Sequence, residues 1–374
     1  MPAIVYDDAK GFCFDSSLQA SKVGAEVISN GFDQLPWEIV LPENPMQEDP
    51  EVDPEAGQGG PKKRLSKLEK KEIKQQKKIN AARARQVKRQ QQIGSESAMG
   101  SQIFNPFLAK SDLKQLHSRI ISHVKTESSS QVQSSNTSSE LKILQYQSIA
   151  LYKSDLDHIL PGEWLNDNNI SFVYELIHQT FLKEKGSFNH QVQLLFPSLV
   201  QLFLHFPVSD EIENILPLDD LKKLKFIFIP INFIDDYDDI DLEEVNNGDH
   251  WALGLLSVLE NRLYIYDSMT IDEGDSSTDK LLGELTRRLQ SCKGILKSNR
   301  PIEVIKMKCD QQDNFDDCGV FLVMITCYLI KRLILEKEAI SLDISKVRFN
   351  ALAGRVKMME LIGRVLWSET EPTE

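Results

Sequence analysis

The stretch QQDNFDDCGVFLVMITCYLIKRLILEK, residues 311–337, decides how the rest of the chain is read. From Cys318 onward it is apolar for about two-thirds of its length, with no polar stripe, which predicts a central buried helix. Ahead of the helix, Gln311 to Asp317 are all polar but Phe315, so Cys318 and Gly319 stand at the helix start. The first amides of a helix lack internal partners and the dipole is positive there, so the position favours an anion. A thiol in such a place beside an imidazole titrates at about 3.5–7.5 instead of about 8.5.

Upstream, HWALGLLSVL (250–259) and RLYIYDS (262–268) have the composition of two strands joined by a turn at Glu260 and Asn261. If they pair as a hairpin, the start of the first and the end of the second share one end of the sheet. His250 and Asp267 are then neighbours. Asp267 would orient the imidazole and stabilise its charged form. Gln312 could lend an amide N–H to a developing oxyanion, alongside the backbone N–H of Cys318; one such donor is worth about 10²–10³ in rate. These are the parts of a thiol hydrolase. Taken singly, each has a plainer reading, because cysteine is often an inert buried hydrophobe, and Cys327 on the same helix reads that way.

Around this core, KFIFIPIN (225–232) reads as a buried strand. WLNDNNISFVYELIHQTFLKE (164–184) reads as a helix with an Asn/Asp cap, carrying Ile170, Val173, Ile177 and Phe181 at helical spacing. A helix near 278–291, a strand at 302–307 and a last amphipathic helix over 344–366 complete an α+β domain at 141–367. Residues 1–60 read as an irregular acidic region with a short apolar island at Trp37, Ile39, Val40 and Leu41. Residues 94–140, ending in ESSSQVQSSNTSSE, read as a disordered Ser-rich linker.

The net charge of −13 hides a reversal of sign. Residues 61–93 hold thirteen Lys/Arg against two Glu, with no glycine and no proline after Pro61, which predicts a basic helix. The run between Lys62 and Arg89 suits an RNA contact or a nuclear address read by an import receptor; a steep fall of RNA binding with salt would mark the former. In the opposite sense, 235–249 carries eight Asp/Glu in fifteen residues. It lacks the glycine and spacing of an EF-hand and reads as a solvated loop or a surface that speeds encounter with a basic partner. No run of eighteen apolar residues suggests a membrane span, and the first residues lack the pattern of a secretory signal. Five cysteines without a CxxC pair argue against a disulfide framework or a zinc ribbon and for an intracellular setting, nucleus or cytoplasm.

Trp164-Leu165-Asn166-Asp167, His250-Trp251, Asp267-Ser268 and Gln312…Asp317-Cys318-Gly319 resemble, in order and spacing, the ubiquitin-like-modifier proteases. These are the papain-like family of SUMO and Nedd/Rub proteases related to adenovirus proteinase, and the resemblance covers roughly 143–335. It implies a central sheet packed by helices, with His250, Asp267 and Cys318 as a triad and Gln312 as oxyanion donor. It also implies that Trp164 and Trp251 flank a tunnel for the modifier's Gly-Gly tail and that Asp167 contacts the modifier beside it. No metal or cofactor is implied, and a monomer is expected. QYQSIALYKSDL (145–156), FPSLVQLF (196–203) and LPLDDLKKLKFIFIPIN (216–232) look most like the Nedd/Rub branch, with SUMO as the alternative. A catalytically inactive modifier-binding module is a second alternative. Its one support is a departure: the family usually has an aromatic residue two before the cysteine, where this chain has Asp316, an extra carboxylate that would disfavour the thiolate.

Overall fold

The computed structural model describes residues 4–7, 11–14, 38–40, 106–130, 141–182, 191–205, 224–233, 250–269, 276–292, 300–335, 342–345 and 347–370, with 216, 221, 295 and 296 singly. The basic segment 61–93 and the acidic stretch 235–249 lie outside the described residues.

The domain is α+β, built on one five-stranded sheet. Numbering strands in chain order, β1 (Ile4–Asp7) and β2 (Gly11–Phe14) form a separate hairpin, and β3 (Glu38–Val40) pairs with β11 (Val347–Phe349). The region 1–60, expected to be irregular, thus carries these three short strands among its described residues. A second hairpin joins β4 (Lys142–Tyr146) and β5 (Ile149–Tyr152). The main sheet has the order β10-β9-β8-β7-β6 and consists of β6 (Val192–Leu194), β7 (Phe226–Phe233), β8 (His250–Ser257), β9 (Arg262–Tyr266) and β10 (Glu303–Met307). The central strand β8 runs antiparallel to both β7 and β9, and the two outer strands run parallel to their neighbours.

Both faces of the sheet are covered at its inner strands β7, β8 and β9, which is why those read as near-continuous apolar runs, while β10 at one edge is largely exposed. Ile227, Ile229, Ile231, Ala252, Leu263 and Ile265 face one apolar cluster, shared with helices Pro197–His205 and Ser276–Ser291. Phe228, Trp251, Leu253, Leu255, Tyr264 and Tyr266 face the other, built on the helix Cys318–Leu335. Pro230 sits mid-strand in β7 without breaking the sheet. Pairing with β6 stops at Phe228, so the N–H that proline lacks would face a side with no ladder bond to make. The hairpin turn between β8 and β9 closes at Asn261, which adopts φ 55°, a left-handed conformation that Asn tolerates.

Two boundaries differ from the sequence reading. The last helix, expected over 344–366, runs instead over Ala351–Thr370, because Val347–Phe349 pairs as a strand with Glu38–Val40 ahead of it. Within the expected linker 94–140, Pro106–Ser130 is a helix, α1, that buries Ala109, Leu113, Ile120 and Val124. It lies against the last helix of the chain, Ala351–Thr370. The Arg119 guanidinium sits 4.5 Å from the centre of the Trp367 ring, and His117 Nε2 lies 2.7 Å from Asp157 Oδ1. Its small stripe of apolar residues, diluted by polar ones, gains stability from the surface it covers rather than from its own propensity.

Candidate active site

The antiparallel register of β8 and β9 pairs Leu253 with Tyr266, so His250 and Asp267 both lie at one end of the sheet. His250 Nε2 is 2.6 Å from Asp267 Oδ1, which also accepts the Met269 backbone N–H at 2.8 Å. Across the other strand pair His250 is opposite Phe233, and the two rings stack with centroids 6.1 Å apart and planes 14° apart. The imidazole is thus held on its face by Phe233 and at one edge by Asp267.

The remaining nitrogen, Nδ1, is buried and lacks a partner at ordinary hydrogen-bonding length. Cys318 is nevertheless close enough to favour a proton on the ring. Burial disfavours the charged imidazole, but the charge and hydrogen bond of Asp267, helped by Cys318, outweigh it and raise the His250 pKa to about 10. Asp267 on one nitrogen and a thiol toward the other is the arrangement a Cys–His pair needs.

Cys318 opens its helix, Cys318–Leu335, as the sequence predicts, and is 1% exposed. The loop before it is stitched to the segment that bears Asp267. Gln311 Nε2 donates to the Asp267 carbonyl at 2.8 Å, and the Gln312 backbone N–H donates to the Ser268 carbonyl at 2.8 Å. The Gln312 side chain is buried. Its Oε1 accepts from Ser268 Oγ at 2.7 Å, and its Nε2 donates to the Asn314 carbonyl at 2.8 Å. Those two bonds fix which way the amide faces. An amide nitrogen has two N–H bonds, and these contacts use one of them.

Asn314 Oδ1 accepts the backbone N–H groups of Asp316 and Asp317 and so folds the loop back on itself. Asp317 stands where a helix cap would, yet its carboxylate is taken by Asn314 Nδ2 at 2.7 Å and by Arg355 Nε at 2.9 Å. A side-chain cap would have occupied the first-turn amides. With the carboxylate drawn elsewhere, those amides are left to attract negative charge at the thiol or on a substrate oxygen.

Trp251 is buried, donates from Nε1 to the Leu165 carbonyl at 3.0 Å, and abuts Gly319. A Cβ on Gly319 would come 2.8 Å from Leu165 Cβ and 3.3 Å from Trp251 Cδ1, so only glycine permits this approach. Trp164, the neighbour of Leu165, is 39% exposed. Asp167 begins the helix Asp167–Leu176, capped by Asn166, whose side chain accepts the Asn169 N–H at 3.0 Å; burial raises the Asp167 carboxyl above its ordinary pKa.

The structure therefore brings His250, Asp267, Cys318 and Gln312 to one sheet end, with Trp251 alongside through Gly319. Trp164 and Asp167 belong to the adjoining 161–167 segment, which reaches the site through Leu165. Asp316 makes its bonds away from the thiol, to the Gly162 N–H at 2.9 Å and toward Arg355. Ser268 stood beside Asp267 in the sequence reading without a role, and Phe233, Asn314 and Arg355 were not singled out. Asn314 is a turn-former and could have been; the others are visible only through register and packing.

Residues 163–362 match the family described as "Ulp1 protease family, C-terminal catalytic domain". NEDD8-specific protease 2 of Schizosaccharomyces pombe is 32% identical over 228 residues, which are 60% of this chain and 50% of that protein. A probable sentrin-specific protease 8 of Dictyostelium discoideum is 28% identical over 232 residues, 62% of this chain and 90% of its own length. The solved C-terminal Ulp1 protease domain in complex with Smt3, the yeast orthologue of SUMO, is 18% identical with a TM-score of 0.44, covering 68% of this chain and 96% of that one. The chain spans half the length of the S. pombe relative. A match over more than half of the sequence places it: this chain belongs to the Ulp1 protease family.

Proposed function

We propose that the chain is a cysteine protease that cleaves after the C-terminal Gly-Gly of a ubiquitin-like modifier, NEDD8 in preference to SUMO. The observation that carries this is the His250–Asp267 pair, 2.6 Å apart and buried beside a thiol that opens a helix. The Cys318 sulfur attacks the carbonyl carbon of the last glycine, and the carbonyl oxygen takes up the negative charge. The Cys318 backbone N–H and the second N–H of the Gln312 amide receive it. His250 passes its proton to the leaving amine as the carbon–nitrogen bond breaks. Water, deprotonated by the same imidazole, then releases the acyl group as a carboxylic acid. The carbonyl chemistry is the same for an isopeptide in a conjugate and a peptide bond in a precursor.

Trp164 and Trp251 are the walls of the tail channel in this reading. Glycine alone lacks the side chain that aromatic walls would reject, so two such walls act as a steric sieve. Asp167, beside Trp164, contacts the modifier's body. The preference for NEDD8 is supported by the relatives whose names specify it, at 32% and 27% identity. The basic run between Lys62 and Arg89 is proposed as the contact to RNA or to an import receptor, within an intracellular setting.

NEDD8, SUMO and ubiquitin carrying C-terminal electrophiles provide the test. NEDD8 is expected to label the purified chain at Cys318, and Cys318→Ala to abolish the label. Labelling by SUMO alone would overturn the choice of modifier. No label with any of the three would overturn the protease reading in favour of a binding module.

A further inference from the structure

Arg355 is among the largest fully buried side chains of the molecule, at 1% exposure. A buried guanidinium is costly unless its five donors are met and its charge is matched. Here they are met from two separate stretches of backbone. Nη1 donates to the carbonyls of Leu160 at 2.9 Å and Ile159 at 3.2 Å, and Nη2 to that of Glu163 at 2.8 Å. Nη2 also donates to the Asp316 carbonyl at 2.7 Å, and Nε to Asp317 Oδ1 at 2.9 Å. The first stretch ends at Trp164 and the second at Cys318.

Asp316 supplies a second link between the same two stretches. Its Oδ2 accepts the Gly162 N–H at 2.9 Å and lies 3.8 Å from Arg355 Nη2. Gly162 adopts φ +93°, a conformation that glycine reaches without steric cost. Arg355 reaches this point because its helix lies very close to the helix of Cys318: a Cβ on the preceding Gly354 would come 2.8 Å from both Met324 Sδ and Val320 Cγ1.

We propose that Arg355 and Asp316 are positioning residues, a clamp that fixes the Trp164 wall of the tail channel relative to the Cys318 nucleophile. The carboxylate at 316 is then a working part of the loop and no sign of a dead site. The Gly162 and Glu163 contacts lie within two residues of Trp164, and Asp316 and Asp317 lie within two of Cys318. Leu165 and Gly319 are already at van der Waals contact, so a small slip of one stretch would close or splay the channel. Lysine could not replace Arg355, because a single ammonium has no planar fork to hold carbonyls on two sides.

The inference rests on the protease reading, and the experiment separates the two. In the full chain, Asp316→Ala cuts the Gly162 link while Arg355 keeps Asp317 as its counter-charge, so the fold survives. Asp316→Asn keeps an acceptor for Gly162. Two rates are compared: labelling by NEDD8 with an electrophile on its Gly-Gly tail, and Cys318-dependent alkylation by iodoacetamide, a small reagent that carries no modifier tail to seat. Asp316→Ala is expected to slow the NEDD8 label about tenfold, the scale of a misplaced but intact site, without slowing alkylation. Asp316→Asn is expected to recover most of the loss. Equal labelling of Asp316→Ala and wild type, equal loss in both rates, or no recovery by asparagine would each overturn the clamp. No label on the wild type with any modifier would overturn the function and the clamp together.

Discussion

His250 holds its two ring nitrogens in unlike surroundings, one bonded to a carboxylate and one turned to a thiol, and the consequence is a dependence on pH. Its pKa in the fold is raised from 6.5 to about 10, burial opposing and Asp267 and Cys318 prevailing. A raised pKa means the folded state holds the proton more tightly than the unfolded chain. The stabilisation is therefore full below about pH 6.5 and is lost as pH climbs through about 10. Thermal melts across pH 6.5–10 should fall for the wild type and flatten for Asp267→Asn, whose amide leaves the imidazole without its counter-charge. The alkaline limb of the NEDD8 labelling rate should move to lower pH in the same variant. Matching profiles for the two proteins would show that Asp267 does not set the charge of His250. This pairing was legible from sequence because strands of opposite direction must bring the start of one to the end of the next. Phe233 was not, since its place over the ring depends on the register of β7 against β8.

At the scale of elements, the start of the Cys318–Leu335 helix is packed on the 161–167 segment with no room to spare. Gly319→Ala would add a methyl 2.8 Å from Leu165 Cβ. Overpacking of that kind costs about 1–3 kcal/mol, and here it falls between the start of the Cys318 helix and the segment that carries Trp164. NEDD8 labelling should slow by at least about tenfold, a larger effect than the melting temperature suggests. Unchanged labelling would mean that the Leu165–Gly319 contact does not shape the channel. The helix itself was readable from its mostly apolar run, and the capped helix after Asn166 from its cap. The buried state of Arg355 was not readable. Arginine in an amphipathic helix is assigned to the wet face, and only the closeness of Gly354 to Met324 and Val320 turns it inward to the carbonyls of two loops.

For the whole molecule, the helix Pro106–Ser130 changes where the folded unit begins. Leu113 and Ile120 are fully buried, and Ile120 reaches the last helix beside Gly363. Leu113→Ala and Ile120→Ala should each cost about 2–5 kcal/mol, the usual range for such truncations in a core, measured by denaturant unfolding of the full chain. Neither would matter if this stretch were a linker. The sequence misled here because serine and charged residues dilute the apolar stripe, while the surface that orders the helix is supplied by residues some 240 positions later. By contrast, local patterns alone determined the α+β class, the β8–β9 hairpin, the Cys318 helix start and the meeting of His250 with Asp267. Periodicity, turn residues and strand direction are properties of short segments, and those features need nothing more. Tertiary structure alone decided the orientation of the Gln312 amide, the ring stacked on His250, the clamp made by Arg355 and Asp316, and the helix laid across the far end. Each depends on partners distant in the chain, whose approach is set by packing volume and by the need to satisfy buried polar groups.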